Sequence, residues 1–389
     1  MSAPRDPVEL LARLVAFRSI SRQPNLDLVG FVADYLRGYG VESRLVPHAD
    51  GTRANLYATI GPRDRGGLCL SGHADVVPVA GQPWSSDPFE LVERDGRLYG
   101  RGSSDMKGFL ACVLAAVPAF VAEPLAVPIH LAISYDEEIG CVGVRDLLDE
   151  LARDAARPLG CIIGEPTGMR LGSAHKGKRA YRCCVRGLAA HSAQPQLGVN
   201  AIEYAAELVT ALRGSARALE TEGARDARFD PPWSTVQTGT IEGGVAVNVV
   251  PDRCAFDFEI RELPGRDGER VIEALTALAR DTLLPEMRRV APEAAIELEP
   301  LSAYPGLRDD AGSLELKSLC AGWLGDERET TLSFGTEGGL FQSIGIPAVV
   351  CGPGSITRAH RADEYVRRDE LAACMSFLAR FTEHCRAPG

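Results

Sequence analysis

The sequence predicts an α/β fold: a domain with a mostly parallel sheet, made from both ends of the chain, and a ferredoxin-like α+β domain inserted between them. Three observations carry this expectation. At 389 residues the chain is too long for one ordinary hydrophobic core. Short apolar runs alternate with segments of helical period over 1–178 and again over 302–389, the pattern of a buried parallel sheet. Between them, 179–301 reads as β-α-β-β-α-β, the order of a ferredoxin-like unit.

Asp6 or Pro7 opens the first helix, whose apolar residues keep helical spacing to Phe17. Residues 26–39 form a second amphipathic helix, stopped by Gly40. Strands are expected at 41–46, 55–60 and 68–71. A long apolar helix, MKGFLACVLAAVPAF, follows Asp105. A strand at 129–134, a helix at 142–151 and a strand at 161–163 complete the first half. In the insert, 179–186 is a strand and 200–212 a helix. The strands 234–241 and 254–260 are joined through GGVAVNVVPDR, and a helix at 270–282 and a strand at 295–299 follow. Residues 221–233 are the expected mobile loop. After 302 the α/β pattern resumes, with a strand at 348–351 and a closing helix at 368–385.

Composition is that of a soluble globular protein, 45% hydrophobic and 24% charged. A net charge of -11 disfavours non-specific nucleic-acid binding. No apolar stretch is long enough to span a membrane, and MSAPRDPVELLARLVAF is acidic and amphipathic rather than a signal peptide. The 11 cysteines are scattered without a CxxC, which argues for a reducing, cytoplasmic setting rather than a disulfide framework.

In open α/β sheets, function collects in loops after the carboxyl ends of strands. His73 and Asp75 follow LCLSG, Glu137 and Glu138 follow IHLAISYD, and Glu165 follows CIIG. His360 follows AVV and the turn CGPGSITRA. Asp105 stands at the start of a helix, where the dipole steadies an anion. This is the ligand set of a two-metal hydrolase, with one carboxylate left over as a base. Imidazole and carboxylate without thiolate suit Zn²⁺, Co²⁺ or Mn²⁺ at a catalytic site, and Asp105 is placed to be shared between two ions. Each residue alone has a bland reading: a structural His, a solvated acidic pair at Glu137 and Glu138, a plain N-cap at Asp105. Those readings do not account for all of them together, in this order.

Other residues suggest substrate contacts. Arg261 ends FDFEIR, and its guanidinium fork fits a substrate α-carboxylate. Gly335 and Thr336 offer backbone and hydroxyl groups in a Gly-rich turn. Glu337 beside them either pairs with a cationic substrate amine or is a surface acid in a loop. No GxSxG elbow is present, which argues against a serine nucleophile.

The segments SGHADVVPV, GRGSSDMKG, DEEIG, GEPT and GPGSITRAHRADEYV resemble the M20 family of dizinc peptidases and deacylases, over nearly the whole chain. The resemblance implies that His73 and Glu165 bind one Zn²⁺, that Glu138 and His360 bind the other, and that Asp105 bridges them, with Co²⁺ as the alternative metal. It implies Glu137 as general base and Asp75 as the residue that orients His73. His191, in AAHSAQPQLGVNAIE, is implied as an oxyanion donor reaching across a homodimer; the alternative is that it caps the following helix. Asn248 is implied as a substrate contact, and the insert as a lid that dimerises. The implied reaction is hydrolysis of an N-acyl amino acid, N2-acetyl-L-ornithine first, within arginine biosynthesis. Succinyl-diaminopimelate, other N-acyl amino acids and dipeptides are the alternatives, with a non-catalytic binding protein on the same fold as the remote one. The expected partner is a small molecule, not a nucleic acid or a membrane.

Overall fold

In the computed structural model the chain is described over residues 6–265 and 267–386. It divides into two compact units. One runs up to Ala174 and also takes Leu307–Thr331 and everything from Thr336 on; the other is His175–Gly306 with Leu332–Gly335. Among the described residues no helix is long and apolar enough to cross a membrane.

The first unit is built on an eight-stranded sheet. Its order is Ser43–Pro47, Ala54–Ile60, Ile129–Ser134, Leu68–His73, Gly160–Ile163, Ala348–Val350, Leu171–His175, Glu329–Leu332. The middle four, from Ile129–Ser134 to Ala348–Val350, pair in parallel. Ser43–Pro47 and Ala54–Ile60 add antiparallel strands on one side, and Leu171–His175 pairs antiparallel on the other. The middle strands read IHLAIS, LCLSGH, GCII and AVV and are buried at every position, because helices cover both faces of a parallel sheet. The edge strand SRLVP is mostly open and carries Arg44, as an edge that must not recruit another chain does.

The helix Lys107–Phe120 is apolar nearly all round and correspondingly buried. It packs against Pro7–Ala16, Arg368–Cys385 and the strand Leu68–His73. Asp6 starts Pro7–Ala16 by accepting the Val8 N–H at 2.9 Å, with proline in the first turn. Glu370 starts Arg368–Cys385 by accepting the Arg367 N–H at 2.8 Å. Phe120, Phe381 and Trp323 meet edge to face in the core between these helices.

The second unit is a four-stranded antiparallel sheet in the order Thr235–Gly243, Arg253–Glu262, Gly177–Arg186, Ala295–Tyr304. With helices Ala201–Glu222 and Asp267–Leu278 this is the expected ferredoxin-like order. Alternate residues of Arg253–Glu262 are buried, so Cys254, Phe256, Phe258 and Ile260 line one core face. Asn200 accepts the N–H groups of Ile202 and Glu203 and begins the first helix.

Several boundaries differ from expectation. Ala201–Glu222 continues well past residue 212, through a polar stretch with little apolar periodicity, so 221 and 222 of the expected mobile loop are helical. The helix expected at 270–282 begins at Asp267 and ends in a π turn, Ala279–Leu283, before the short helix Leu284–Met287. A small sheet of Tyr365–Arg367, Arg97–Tyr99 and Val92–Arg94 was not expected, since its strands are three residues each.

Candidate metal centre

Four parallel strands end at one edge of the first unit, and the ionisable residues follow them. His73 is the last residue of Leu68–His73 and pairs in register with Ser134, the last of Ile129–Ser134. Glu137 and Glu138 come just after that second strand, Glu165 just after Gly160–Ile163, and His360 after Ala348–Val350 and the turn Ile356–Arg358. Asp105 precedes the helix Lys107–Phe120, whose N-cap is Met106, so its carboxylate is free of capping duty.

That carboxylate faces two imidazoles. Asp105 Oδ1 is 3.1 Å from His73 Nε2, and Asp105 Oδ2 is 3.2 Å from His360 Nε2. Glu165 Oε1 lies 3.7 Å from His73 Nε2, and Glu138 Oε2 lies 2.9 Å from His360 Nε2. Donor atoms of His73, Asp105 and Glu138 lie within 4.8 Å of one another, as do those of His73, Glu137 and Glu165.

Asp75 supports the cluster from behind. Its carbonyl oxygen is 2.9 Å from His73 Nδ1, and its Oδ1 is 3.4 Å from the same nitrogen. Asp75 Oδ1 also accepts the Glu137 N–H at 3.1 Å, and Oδ2 accepts the Glu138 N–H at 3.4 Å and the Ser21 hydroxyl at 2.7 Å. Sequence reasoning linked Asp75 to His73 and missed its grip on the Glu137–Glu138 turn. It also gave no role to Glu364, which accepts the Ser104 and Asp105 N–H groups at 2.9 and 3.0 Å. An acid beside the apolar pair Tyr365 and Val366 was the available signal.

The electrostatics call for cations. His73, Asp75, Asp105 and Glu165 are all 5% exposed or less. Burial pushes the Glu137 and Glu165 carboxyls well above their usual range, with negative neighbours adding to the rise. Burial and the Asp105 charge push Glu138 up to about 7. Burial opposes ionisation of Asp105, yet His360 and His73 hold it below its usual value. Asp105 and Glu138 in turn raise His360 to about 10. Five carboxylates therefore share two imidazoles, an excess of buried negative charge that divalent cations neutralise. The donors are nitrogen and oxygen, and the Cys141 thiol nearby donates to Glu137 Oε1 at 3.2 Å instead of joining either donor set. This donor chemistry fits two Zn²⁺-like ions.

Of the expected substrate residues, Thr336 and Glu337 belong to this unit and are buried. Thr336 Oγ1 accepts the Gly338 N–H at 3.0 Å. Glu337 is 1% exposed, which excludes a surface acid; it accepts the Ser134 hydroxyl at 2.5 Å, and its Oε2 has no hydrogen-bond partner among the described residues. Burial pushes its carboxyl up to about 7.

His191, Asn248, Arg261 and Gly335 belong to the second unit. His191 is exposed and its Nδ1 accepts the Ala193 N–H at 3.1 Å; the cap of the following helix is Asn200, so His191 does not serve there. Asn248 is exposed, and its carbonyl accepts the Ser192 N–H. Arg261 spans Glu259 with Nε and Nη2 at 3.1 and 3.4 Å and reaches the Tyr304 hydroxyl with Nη1 at 3.1 Å. A side chain at Gly335 would run into the Tyr304 ring at 2.1 Å, so only glycine fits.

Residues 69–384 match the family model described as peptidase family M20/M25/M40. The chain belongs to the M20 family. Among M20 relatives, acetylornithine deacetylase of Myxococcus xanthus is 36% identical over 379 residues, 96% of either chain. Acetylornithine deacetylase of Proteus mirabilis is 36% identical over 369 residues, 92% of this chain and 91% of its own. The fold is that of aminopeptidase PepT from Bacillus cereus, at a TM-score of 0.73 and 21% identity over 97% of this chain and 98% of that one.

Proposed function

We propose that this chain hydrolyses N2-acetyl-L-ornithine to L-ornithine and acetate with two Zn²⁺ per subunit, as a cytoplasmic step of arginine biosynthesis. The observation that carries the chemistry is the Asp105 carboxylate, turned to His73 with one oxygen and to His360 with the other. The substrate follows from the two relatives at 36% identity across nine-tenths of the chain or more. Eleven free cysteines suit a reducing compartment.

His73 and Glu165 would hold one cation, Glu138 and His360 the other, with Asp105 shared. When bound, such cations polarise the acyl oxygen and lower the pKa of water from about 15.7 toward about 7. Glu137 takes the proton from the attacking water. Its carboxyl is buried beside Glu138, so its proton affinity is high, as a group that must next act as an acid requires. It returns the proton to the amide nitrogen as the C–N bond breaks; the amine leaves with that proton, and acetate keeps the oxygen of the water. Asp75 holds the Glu137 backbone and Cys141 holds its carboxylate.

The second unit pairs two chains in a homodimer. His191 then donates to the oxyanion from the partner chain. Arg261 takes the substrate α-carboxylate in the fork that now spans Glu259, and Asn248, Gly335 and Thr336 line the bound substrate. Glu337 favours a cationic side chain through its charge.

The test is acetate release from N-acetyl-L-ornithine by chelator-stripped protein, with and without Zn²⁺ or Co²⁺, beside N-acetylmethionine and N-succinyl-diaminopimelate. The expected result is turnover restored by metal, with a clear preference for acetylornithine. Restored turnover on another substrate keeps the mechanism and removes the role of Glu337; no turnover on any of the three overturns the reading.

A further inference from the structure

Asp105 and His360 come from distant parts of the sequence, yet their facing atoms are 3.2 Å apart. A chain of protein contacts outside the donor sets joins the loops that carry them. Glu364 is its centre. Glu364 Oε1 accepts the N–H groups of Ser104 and Asp105, and Oε2 accepts Arg101 Nη1 at 2.6 Å. Both charged side chains are only 1% exposed.

Arg101 extends the chain. Its Nη2 donates to Gln82 Oε1, its Nη1 reaches the Arg361 carbonyl at 3.4 Å, and the Trp84 ring covers the guanidinium at 5.0 Å. Trp84 Nε1 donates to the same Gln82 oxygen at 3.1 Å. Gln82 Nε2 then donates to the carbonyl of His360 at 3.0 Å. One buried carboxylate thus grips the backbone of Asp105 directly and the backbone of His360 through Arg101 and Gln82. His360 sits at φ +62°, a conformation that non-glycine residues adopt only when surrounding contacts hold them there.

We propose that Glu364, with Arg101 and Gln82, is a positioning device that fixes the Asp105–His360 spacing and thereby sets the affinity of the cation those two residues share with Glu138. None of the three touches the cation. The inference rests on the two-cation reading above and assigns its support to residues outside the donor sets. Contacts of this kind typically tune metal affinity by about 10- to 100-fold.

The experiment is calorimetric titration of the chelator-stripped full chain with Zn²⁺, paired with thermal melting of the metal-free protein. The original chain takes up two equivalents. Glu364→Gln weakens the equivalent held with His360 by about 10- to 100-fold and the other, which shares Asp105, clearly less. Gln82→Ala, which keeps the Glu364–Arg101 pair, weakens the same equivalent by about tenfold with little change in melting temperature. If Glu364→Gln does not fold, Gln82→Ala alone decides. Equal weakening of both equivalents, or no weakening in Gln82→Ala, overturns the proposal. A single equivalent in the original chain overturns the two-cation reading itself, which separates the two failures.

Discussion

Asp75 Oδ1 accepts the amide N–H of Glu137 at 3.1 Å. The same residue holds His73 Nδ1 through its carbonyl, so one side chain and its backbone register the imidazole of one candidate ligand against the carboxylate proposed as base. The orientation of the base and the placement of the ligand are therefore not independent.

Asp75→Asn tests that coupling. The amide keeps one acceptor oxygen but brings an N–H toward backbone N–H groups. We expect kcat to fall by about 10- to 100-fold, with a smaller change in KM and weaker binding of the ion held by His73. A change confined to KM would show that Asp75 does not act through Glu137.

Glu137→Gln keeps the shape of the side chain and removes its proton-accepting capacity. Two Zn²⁺ should remain by elemental analysis while kcat falls by about 10²- to 10⁴-fold. Loss of an ion in this variant would place Glu137 among the ligands, as its membership in one donor cluster allows.

Glu337→Gln should raise KM for N-acetyl-L-ornithine more than for N-acetylmethionine. The carboxylate is buried and bonded to Ser134, so it acts through its charge, and that charge matters only to a cationic substrate. Steady-state kinetics with both substrates decide it; equal changes would leave Glu337 as a structural acid.

His130 gives a pH signature away from the metal cluster. Its Nδ1 is 2.9 Å from the Tyr57 hydroxyl and 3.0 Å from Thr59 Oγ1, and its Nε2 has no hydrogen-bond partner among the described residues. Burial lowers its pKa from 6.5 to about 4. In that window the unfolded chain binds a proton that the folded chain does not, so stability rises with pH across it and is lost as pH falls through it. The loss is on the order of 3 kcal/mol. Melting temperatures measured at neutral pH and near the lower end of the window should drop further for the unaltered chain than for His130→Asn. Equal drops would mean that His130 titrates normally.

The edge that gathers the candidate metal ligands was readable because its residues follow directly on strands that announce themselves as short apolar runs. The Lys107–Phe120 helix and the middle strands were legible for the same reason. What the sequence concealed are partnerships across long separations. Glu364 reaches Asp105 from the far end of the chain, and Arg101 reaches back to Gln82 past the strands Val92–Arg94 and Arg97–Tyr99, with no periodicity to flag either. Three-residue strands such as Val92–Arg94 carry too little pattern to register, and the end of Ala201–Glu222 brings little more than Leu219 to the core, too sparse an apolar face to mark it as helix.

The place of Ala348–Val350 inside the parallel core has a consequence for synthesis. Until the ribosome has passed Val350, the Gly160–Ile163 strand stays a bare hydrophobic edge. At about 5–20 residues per second, that interval lasts on the order of ten seconds or more. The ferredoxin-like unit, with a core of its own, emerges whole during the wait. The nascent chain thus carries a finished insert on an unfinished host, and the host holds four of its five candidate ligands until His360 arrives.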